Sequence, residues 1–430
     1  MSFSFLLASW GTSGNLSPLL TAGRRLRNAG HRVRVIADPA VREEVEKDGF
    51  GFAAWRRAPV GTAADPVEVA DIKDFCQRVI FDPMLSYAAD IRDEIERLPT
   101  DAVLAIDLLF GVALGTEAAG VGFAMLSPHV SARPLAGVPP VGSDLRPPKT
   151  SQERVEIETA SSRFIDFLNE FVPDMNQARA SLGLPPFGHI LDIYDRCDRV
   201  LLAMSQAFDF DADYLPKNTR YIGPLLDQPG WSKSWEGSWP GESNCPRALI
   251  SFSTGAQGQA DLVQRVVSAM SRVEIQAVVT TGPSLDAKRL KPPKNVRVFS
   301  SAPHNAVMRE VSLMVTHGGH GTVNRALIHG LPLLVIPNGR DQNDNALRVE
   351  ARGAGLVLPG TASEEEIAAA VNRLIRESHF RVAARRLGVA IAADCDSSIL
   401  VDEIEAIVVA RRKDQRGVRL ASVDQTDEAV

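Results

Sequence analysis

The stretch from Thr316 to Ala346, THGGHGTVNRALIHGLPLLVIPNGRDQNDNA, holds the residues with the clearest chemical purpose. His317-Gly318-Gly319-His320-Gly321-Thr322 follows an apolar run ending at Thr316 and opens a segment of helical character. Glycines let a backbone approach a ligand closely, and the first turn of a helix offers free N–H groups and the positive end of a dipole. That combination suits a pyrophosphate. The dipole alone is worth only about 0.3–1 kcal/mol per charge, so His317 and Thr322 are expected to add side-chain hydrogen bonds. A structural turn and a metal site are the competing readings. Metal is the weaker of these, because no nearby carboxylate or cysteine completes a ligand set.

Such a turn needs a scaffold, and the chain alternates strands with helices throughout. At 430 residues it is long enough for two domains of roughly 200 residues each. A buried strand over 3–9 leads into a helix with Pro18 in its first turn, where a missing N–H does no harm. Strands follow at 32–37, 102–106, just before Asp107, and 122–127, then 199–204. Residues 140–190 interrupt this rhythm with a Pro/Gly-rich run and an amphipathic stretch carrying Phe164, Phe167, Leu168 and Phe171, read as helices inserted over the sheet edge beside an acceptor pocket. Residues 223–247, rich in Gly, Pro, Ser and Trp, read as a linker. A second series of strands runs through 248–252, 276–280, 296–299, 313–316 and 333–336, with helices at 364–376 and about 395–411 and a charged, disordered tail from Lys413. The expected architecture is α/β, with two Rossmann-like domains, 1–224 and 245–394, facing each other across a cleft, and a helix over 395–412 packing back on the first.

Composition removes several classes of function. The net charge of −6 argues against nucleic acid or an anionic membrane as partner. No stretch reaches the roughly 18 apolar residues of a membrane span, and the N-terminus lacks the features of a secretory signal, so a cytoplasmic protein is expected. The four cysteines, Cys76, Cys197, Cys245 and Cys395, are widely spaced and suggest reduced thiols rather than a zinc site or disulfides.

Taken together, HGGHGT, GLPLLVIP and DQNDNA resemble the donor-binding signature of the family-one glycosyltransferases, the UDP-glycosyltransferase superfamily with the GT-B fold. The resemblance extends over nearly the whole chain, from GTSGNLSP near the start to the C-terminal helix. It implies that the first domain binds an acceptor and the second a sugar nucleotide. It implies further that His317 contacts the donor phosphate and that Gly319, Gly321 and Thr322 cradle it. Asp341 and Gln342 match the pair that hydrogen-bonds sugar hydroxyls, a role suited to a carboxylate beside an amide. Ser253 and Thr254 match a loop that approaches the phosphates, and His304 stands where the family contacts the base. No metal or cofactor is implied, since the helix end and side chains meet the charge of the leaving nucleotide.

Two positions depart from that pattern. Arg325 stands where an acidic residue commonly binds the ribose hydroxyls, and an arginine cannot accept a hydrogen bond. Asn15, in Gly14-Asn15-Leu16-Ser17-Pro18, stands where the family places a histidine or aspartate general base. An amide does not titrate in a useful range, and general-base catalysis contributes about 10²–10⁴-fold. Asp107, matching the carboxylate that partners the family's histidine, is the first substitute, with Asn15 orienting the acceptor; His129 is the second. Asp209-Phe210-Asp211-Ala212-Asp213 looks like a metal-binding DxD element but is read as a solvated acidic turn.

The expected activity is an inverting transfer from a UDP- or dTDP-sugar, UDP-glucose by default, to a small, largely apolar acceptor of phenolic or polyketide type, by a monomer or homodimer. The alternatives are a catalytically silent GT-B helper protein and a GT-B sugar-nucleotide epimerase.

Overall fold

The computed structural model describes residues 2–10, 13–61, 71–226, 235, 237, 239–240, 244–252, 260–282 and 285–427, with the backbone alone for Ser13 and 415–427. Most of the 223–247 segment lies outside these residues. The described strands form two sheets. The first contains β1 (Ser4–Ala8), β2 (Arg32–Ala37), β3 (Gly51–Ala54), β4 (Ala102–Ile106), β5 (Gly122–Ser127), β6 (Arg199–Leu202) and β7 (Thr219–Tyr221), in the order β3-β2-β1-β4-β5-β6-β7. The second contains β8 (Arg247–Ser251), β9 (Gln276–Thr280), β10 (Val296–Phe299), β11 (Leu313–Thr316), β12 (Leu333–Val335) and β13 (Gly355–Val357), in the order β10-β9-β8-β11-β12-β13. Every pairing is parallel.

The sequence makes these strands for a simple reason. SFLLA, AVLAI and GFAMLS are buried at every position, as a parallel sheet covered on both faces requires. In each sheet the strand order reverses beside the first strand, between β1 and β4 and between β8 and β11. Such a reversal opens a crevice at the carboxyl ends of the strands, where ligands of α/β sheets bind. Register keeps those ends level: Ala8 lies opposite Ala105, and Ile106 opposite Leu126.

The inserted helices are Ser151–Asn169, opened by a Thr150–Glu153 capping box, and Val172–Ser181. Phe171 is buried and stacks on Phe81 at 4.4 Å, so that ring belongs to the core, while Phe164, Phe167 and Leu168 stay partly exposed. The chain leaves the second domain after the helix Ser378–Cys395, and the helix Ile399–Asp427 packs against β4, β5 and β6. Leu400, Ile404, Ile407 and Val408 enter the first domain's core there. The tail is not disordered from Lys413, as the sequence suggested, because the helix continues to Asp427. Residues 413–427 contain one glycine and no proline, so nothing in them interrupts a helix already docked.

The helix that opens at the glycine-rich turn, His320–Ile328, is packed tightly from behind. A Cβ on Gly388 would lie 1.9 Å from the Leu327 carbonyl oxygen, a backbone atom that cannot give way alone. Gly388→Ala should therefore cost about 1–3 kcal/mol of stability. Thermal melting will show it, and nucleotide affinity should fall with it as the helix shifts.

Candidate active site

The described candidate residues stand at or just after the carboxyl ends of strands, or at the helices that follow them, in both sheets. Asn15 lies in the first turn of the helix Ser13–Asn28, and its amide donates to the Trp10 carbonyl at 3.4 Å. Asp107 follows β4 and His129 follows β5. His317 follows β11, and Asp341 immediately precedes the helix Gln342–Ala351 without a side-chain capping bond. Ser253 and Thr254 lie outside the described residues.

On the acceptor side, Asp107 is 2% exposed, with one oxygen hydrogen-bonded and the other buried in an ion-pair contact without an aligned hydrogen bond. Oδ2 accepts from the Ser127 hydroxyl at 2.6 Å, and Oδ1 lies 3.0 Å from His129 Nε2. Direct proton removal by an open Asp107 carboxylate, the sequence expectation, is not what this arrangement offers: the His129 ring stands in front of it and is 25% exposed. The other ring nitrogen, Nδ1, lies 2.8 Å from the Val130 carbonyl. Burial works to lower the His129 pKa, but the Asp107 carboxylate overrides it and, helped by Asp341, lifts it to about 10. The next residue after Asp107, Leu108, holds φ at 65°, a left-handed conformation that side-chain-bearing residues adopt at a cost of about 1–2 kcal/mol. Strain of this kind gathers at functional sites.

On the donor side, the turn requires glycine at Gly318. Gly318 has φ of 98°, and a Cβ there would meet Val335 Cγ1 at 2.8 Å and the Gln342 carbonyl at 2.9 Å. A Cβ on Gly319 would sit 2.7 Å from His317 Nε2. Gly321 and Thr322 occupy the first turn of the helix His320–Ile328 and are half-buried. Burial pulls the His317 pKa down to about 4, although Asp341 opposes the shift, so the imidazole is neutral at pH 7 and donates a single N–H. His304 is held at about 4 by burial and by Arg325, and its Nε2 lies 3.1 Å from Thr280 Oγ1.

Asp341 Oδ2 accepts from Asn345 Nδ2 at 2.9 Å, and its charge raises the pKa of His129, His317 and His320 alike. Its charge is therefore felt on both the acceptor side and the donor side. Gln342 is 3% exposed, with Oε1 accepting from the Asn338 N–H at 2.8 Å. Arg325 is half-buried; Nη2 donates to the Leu226 carbonyl at 3.3 Å and Nε has no hydrogen-bond partner among the described residues. It is not paired with a carboxylate by any described hydrogen bond or ion pair, and burial lowers its pKa.

Residues that sequence reasoning passed over join the two edges. Asp209, read as part of a solvated acidic turn, is buried: Oδ1 takes Arg348 Nε at 2.8 Å and Nη2 at 2.7 Å, and Oδ2 takes the Tyr221 hydroxyl at 2.7 Å. The guanidinium also lies over the Phe210 ring at 4.4 Å. Only Asp211 and Asp213 of that turn are exposed. Asp344 Oδ1 accepts from the Gly142 N–H at 3.0 Å, and burial pushes its pKa up to about 6. His320, itself buried, lies 3.2 Å from the Ala203 carbonyl and 3.1 Å from Asn345 Oδ1. The only signal in the sequence is the density of polar residues in a helix that must be buried, QNDNALR.

Two doubly wound parallel sheets, the second carrying a glycine-rich strand-to-helix turn, make the fold of the GT-B glycosyltransferases. Comparison with known proteins agrees. Residues 264–407 match the family model described as erythromycin biosynthesis protein CIII-like, C-terminal domain. The chain is 27% identical over 424 residues to the 4'-demethylrebeccamycin synthase of Lentzea aerocolonigenes, covering 94% of this chain and 99% of that one. Among solved structures, the glycotransferase of kitacinnamycin superposes with a TM-score of 0.72 at 22% identity, covering 94% of this chain and 98% of the other. A spinosyn rhamnosyltransferase complexed with thymidine diphosphate superposes with a TM-score of 0.66 at 19% identity, covering 94% and 100%. The chain is a glycosyltransferase that resembles the family-one enzymes, and the relatives and structural neighbours it matches are named for the biosynthesis of natural products. Among the described residues, no helix is long and apolar enough to cross a membrane.

Proposed function

We propose that this enzyme transfers a sugar from a dTDP-sugar to a small, largely apolar acceptor with inversion at the anomeric carbon. The observation that carries the reading is the glycine-rich turn at Gly318–Thr322, with its helix N–H groups and neutral His317, beside Asp341, whose charge acts on both His317 and the acceptor-side His129. A diphosphate held at that turn leaves toward the second domain while the acceptor attacks from the first. Attack and departure on opposite faces invert the carbon. Charge on the departing diphosphate is met by the helix end and His317, so the reaction needs no metal and no cofactor. Free thiols at Cys76, Cys197 and Cys245 fit a cytoplasmic enzyme.

Arg325 favours dTDP over UDP. A ribose 2'-hydroxyl adds an O–H that needs an acceptor, and leaving it unmade in a partly buried site costs about 1–3 kcal/mol. A guanidinium offers no acceptor, and a deoxyribose makes no such demand. The solved spinosyn enzyme with thymidine diphosphate is in keeping with this choice. In thermal-shift titrations, wild type should be stabilised more by dTDP than by UDP, and Arg325→Glu should narrow or reverse the difference. Equal stabilisation of wild type by the two nucleotides would remove the dTDP assignment.

A further inference from the structure

We infer that the acceptor binds and reacts as an anion beside a fixed His129 imidazolium, so that the substrates are molecules whose nucleophile ionises on its own, as a phenol of low pKa does. This rests on the reading of the chain as a glycosyltransferase and narrows it. The argument is geometric. His129 Nε2 faces the Asp107 carboxylate at 3.0 Å and Nδ1 faces the Val130 carbonyl at 2.8 Å. Both neighbours are acceptors, so each nitrogen must carry a proton, and an imidazole with both nitrogens protonated is a cation with no lone pair to offer. Asp107 is closed to the acceptor as well: it is 2% exposed, Ser127 donates to Oδ2, and the His129 ring stands 3.0 Å from Oδ1, which accepts no aligned hydrogen bond. Asn15 does not titrate. The acceptor side of this site therefore holds no group open to receive a proton.

The remaining charged and titratable groups around His129 do not change this. Asp341 reaches it from the second domain and favours the cation. His320 has the Asn324 amide donor 3.2–3.3 Å from its nitrogens as well as two neutral oxygens, so one ring proton satisfies it, and burial keeps it below its ordinary pKa. What the site does offer is positive charge on an exposed ring edge, backed by a carboxylate that faces inward. An anion placed there is stabilised, and a neutral alcohol gains nothing. The balance of the step follows. The acceptor loses its proton to solvent before the chemistry. Its anion forms a bond to the anomeric carbon, the carbon–oxygen bond to the diphosphate breaks, and the nucleoside diphosphate leaves with that electron pair. No proton passes to the protein.

The test uses the full chain and the absorbance of 4-nitrophenol and its 2-chloro and 2,6-dichloro derivatives, whose neutral and ionised forms differ in colour. With saturating protein, each bound phenol should titrate at least about one pH unit below its value in buffer, a tenfold shift toward the anion. His129→Gln, which keeps a hydrogen-bond donor but no charge, should abolish the shift. A bound phenol that titrates unchanged or higher overturns the inference, as does a shift that survives in His129→Gln or a failure of all three phenols to bind. With dTDP-glucose as donor, the pH profile of kcat/KM should move with the pKa of each phenol. One acid limb common to all three would instead reveal an enzyme base. Absence of any transfer alongside a clear absorbance shift would count against the glycosyl-transfer reading and leave the anion site standing.

Discussion

Asp209→Leu should lower folding stability by about 3–5 kcal/mol, because it strands a guanidinium that is only 2% exposed. The Tyr221 hydroxyl loses its acceptor in the same stroke. Urea unfolding will read the loss as a lower midpoint. The double variant Asp209→Leu/Arg348→Met should recover much of it, since replacing both members of a buried ion pair with apolar residues is often neutral. Its activity should not recover in step. Arg348 lies on the helix that begins at Gln342, directly after Asp341, and its contact with Asp209 ties the donor-side helix to the acceptor domain. Without that tie, water should compete better with the acceptor, and the ratio of transfer to donor hydrolysis should fall in the double variant. A stable double variant with an unchanged ratio would confine the pair to a purely structural role.

The second large effect is expected at His317. His317→Ala removes a neutral donor at the turn where the diphosphate is placed, and the loss of one such donor in comparable sites costs about 10²–10³-fold in turnover. Nucleotide affinity should drop with it, while the melting temperature of the free protein should change little because the ring is only half-buried. Burial holds the pKa near 4, well below the ordinary value for histidine, so the residue stays neutral from pH 5 to 8 and contributes no titration there. Nucleotide binding in the wild type should accordingly show no step from this residue in that range. Unchanged nucleotide affinity in the variant, by calorimetry or thermal shift, would move the diphosphate elsewhere.

Much of the fold could be read from the sequence because its signals are local. Apolar runs such as AVLAI and GFAMLS, each bounded by turn residues, mark the same strands that the structure shows. The glycine-rich turn at 317–322 is equally local, since its backbone demands glycine at Gly318 whatever surrounds it. The pairing of Asp107 with His129 was not legible, although both residues were singled out. They end neighbouring strands, yet only the structure shows the ring turned onto the carboxylate, with its second nitrogen closed by Val130. Asp209 was misread for a related reason. Three acids in five residues look solvated, and the partner that buries the first of them stands 139 residues away. No periodicity carries information over that distance.

The helix Ile399–Asp427 bears on how this protein comes off the ribosome and how it can be cut and rejoined. It supplies Leu400, Ile404, Ile407 and Val408 to the core of a domain whose last strand, β7, ends at Tyr221. His31 Nε2 meets Glu405 at 2.8 Å, and Arg412 reaches Asp101 at 2.7 Å. The amino-terminal half therefore emerges with one side of its sheet uncovered and cannot complete its core until nearly the whole chain has been made. A chimera joined only in the 223–247 segment would inherit a mismatched helix on that side. A graft meant to exchange acceptor domains must carry two pieces, the first 224 residues together with those from Ile399 onward.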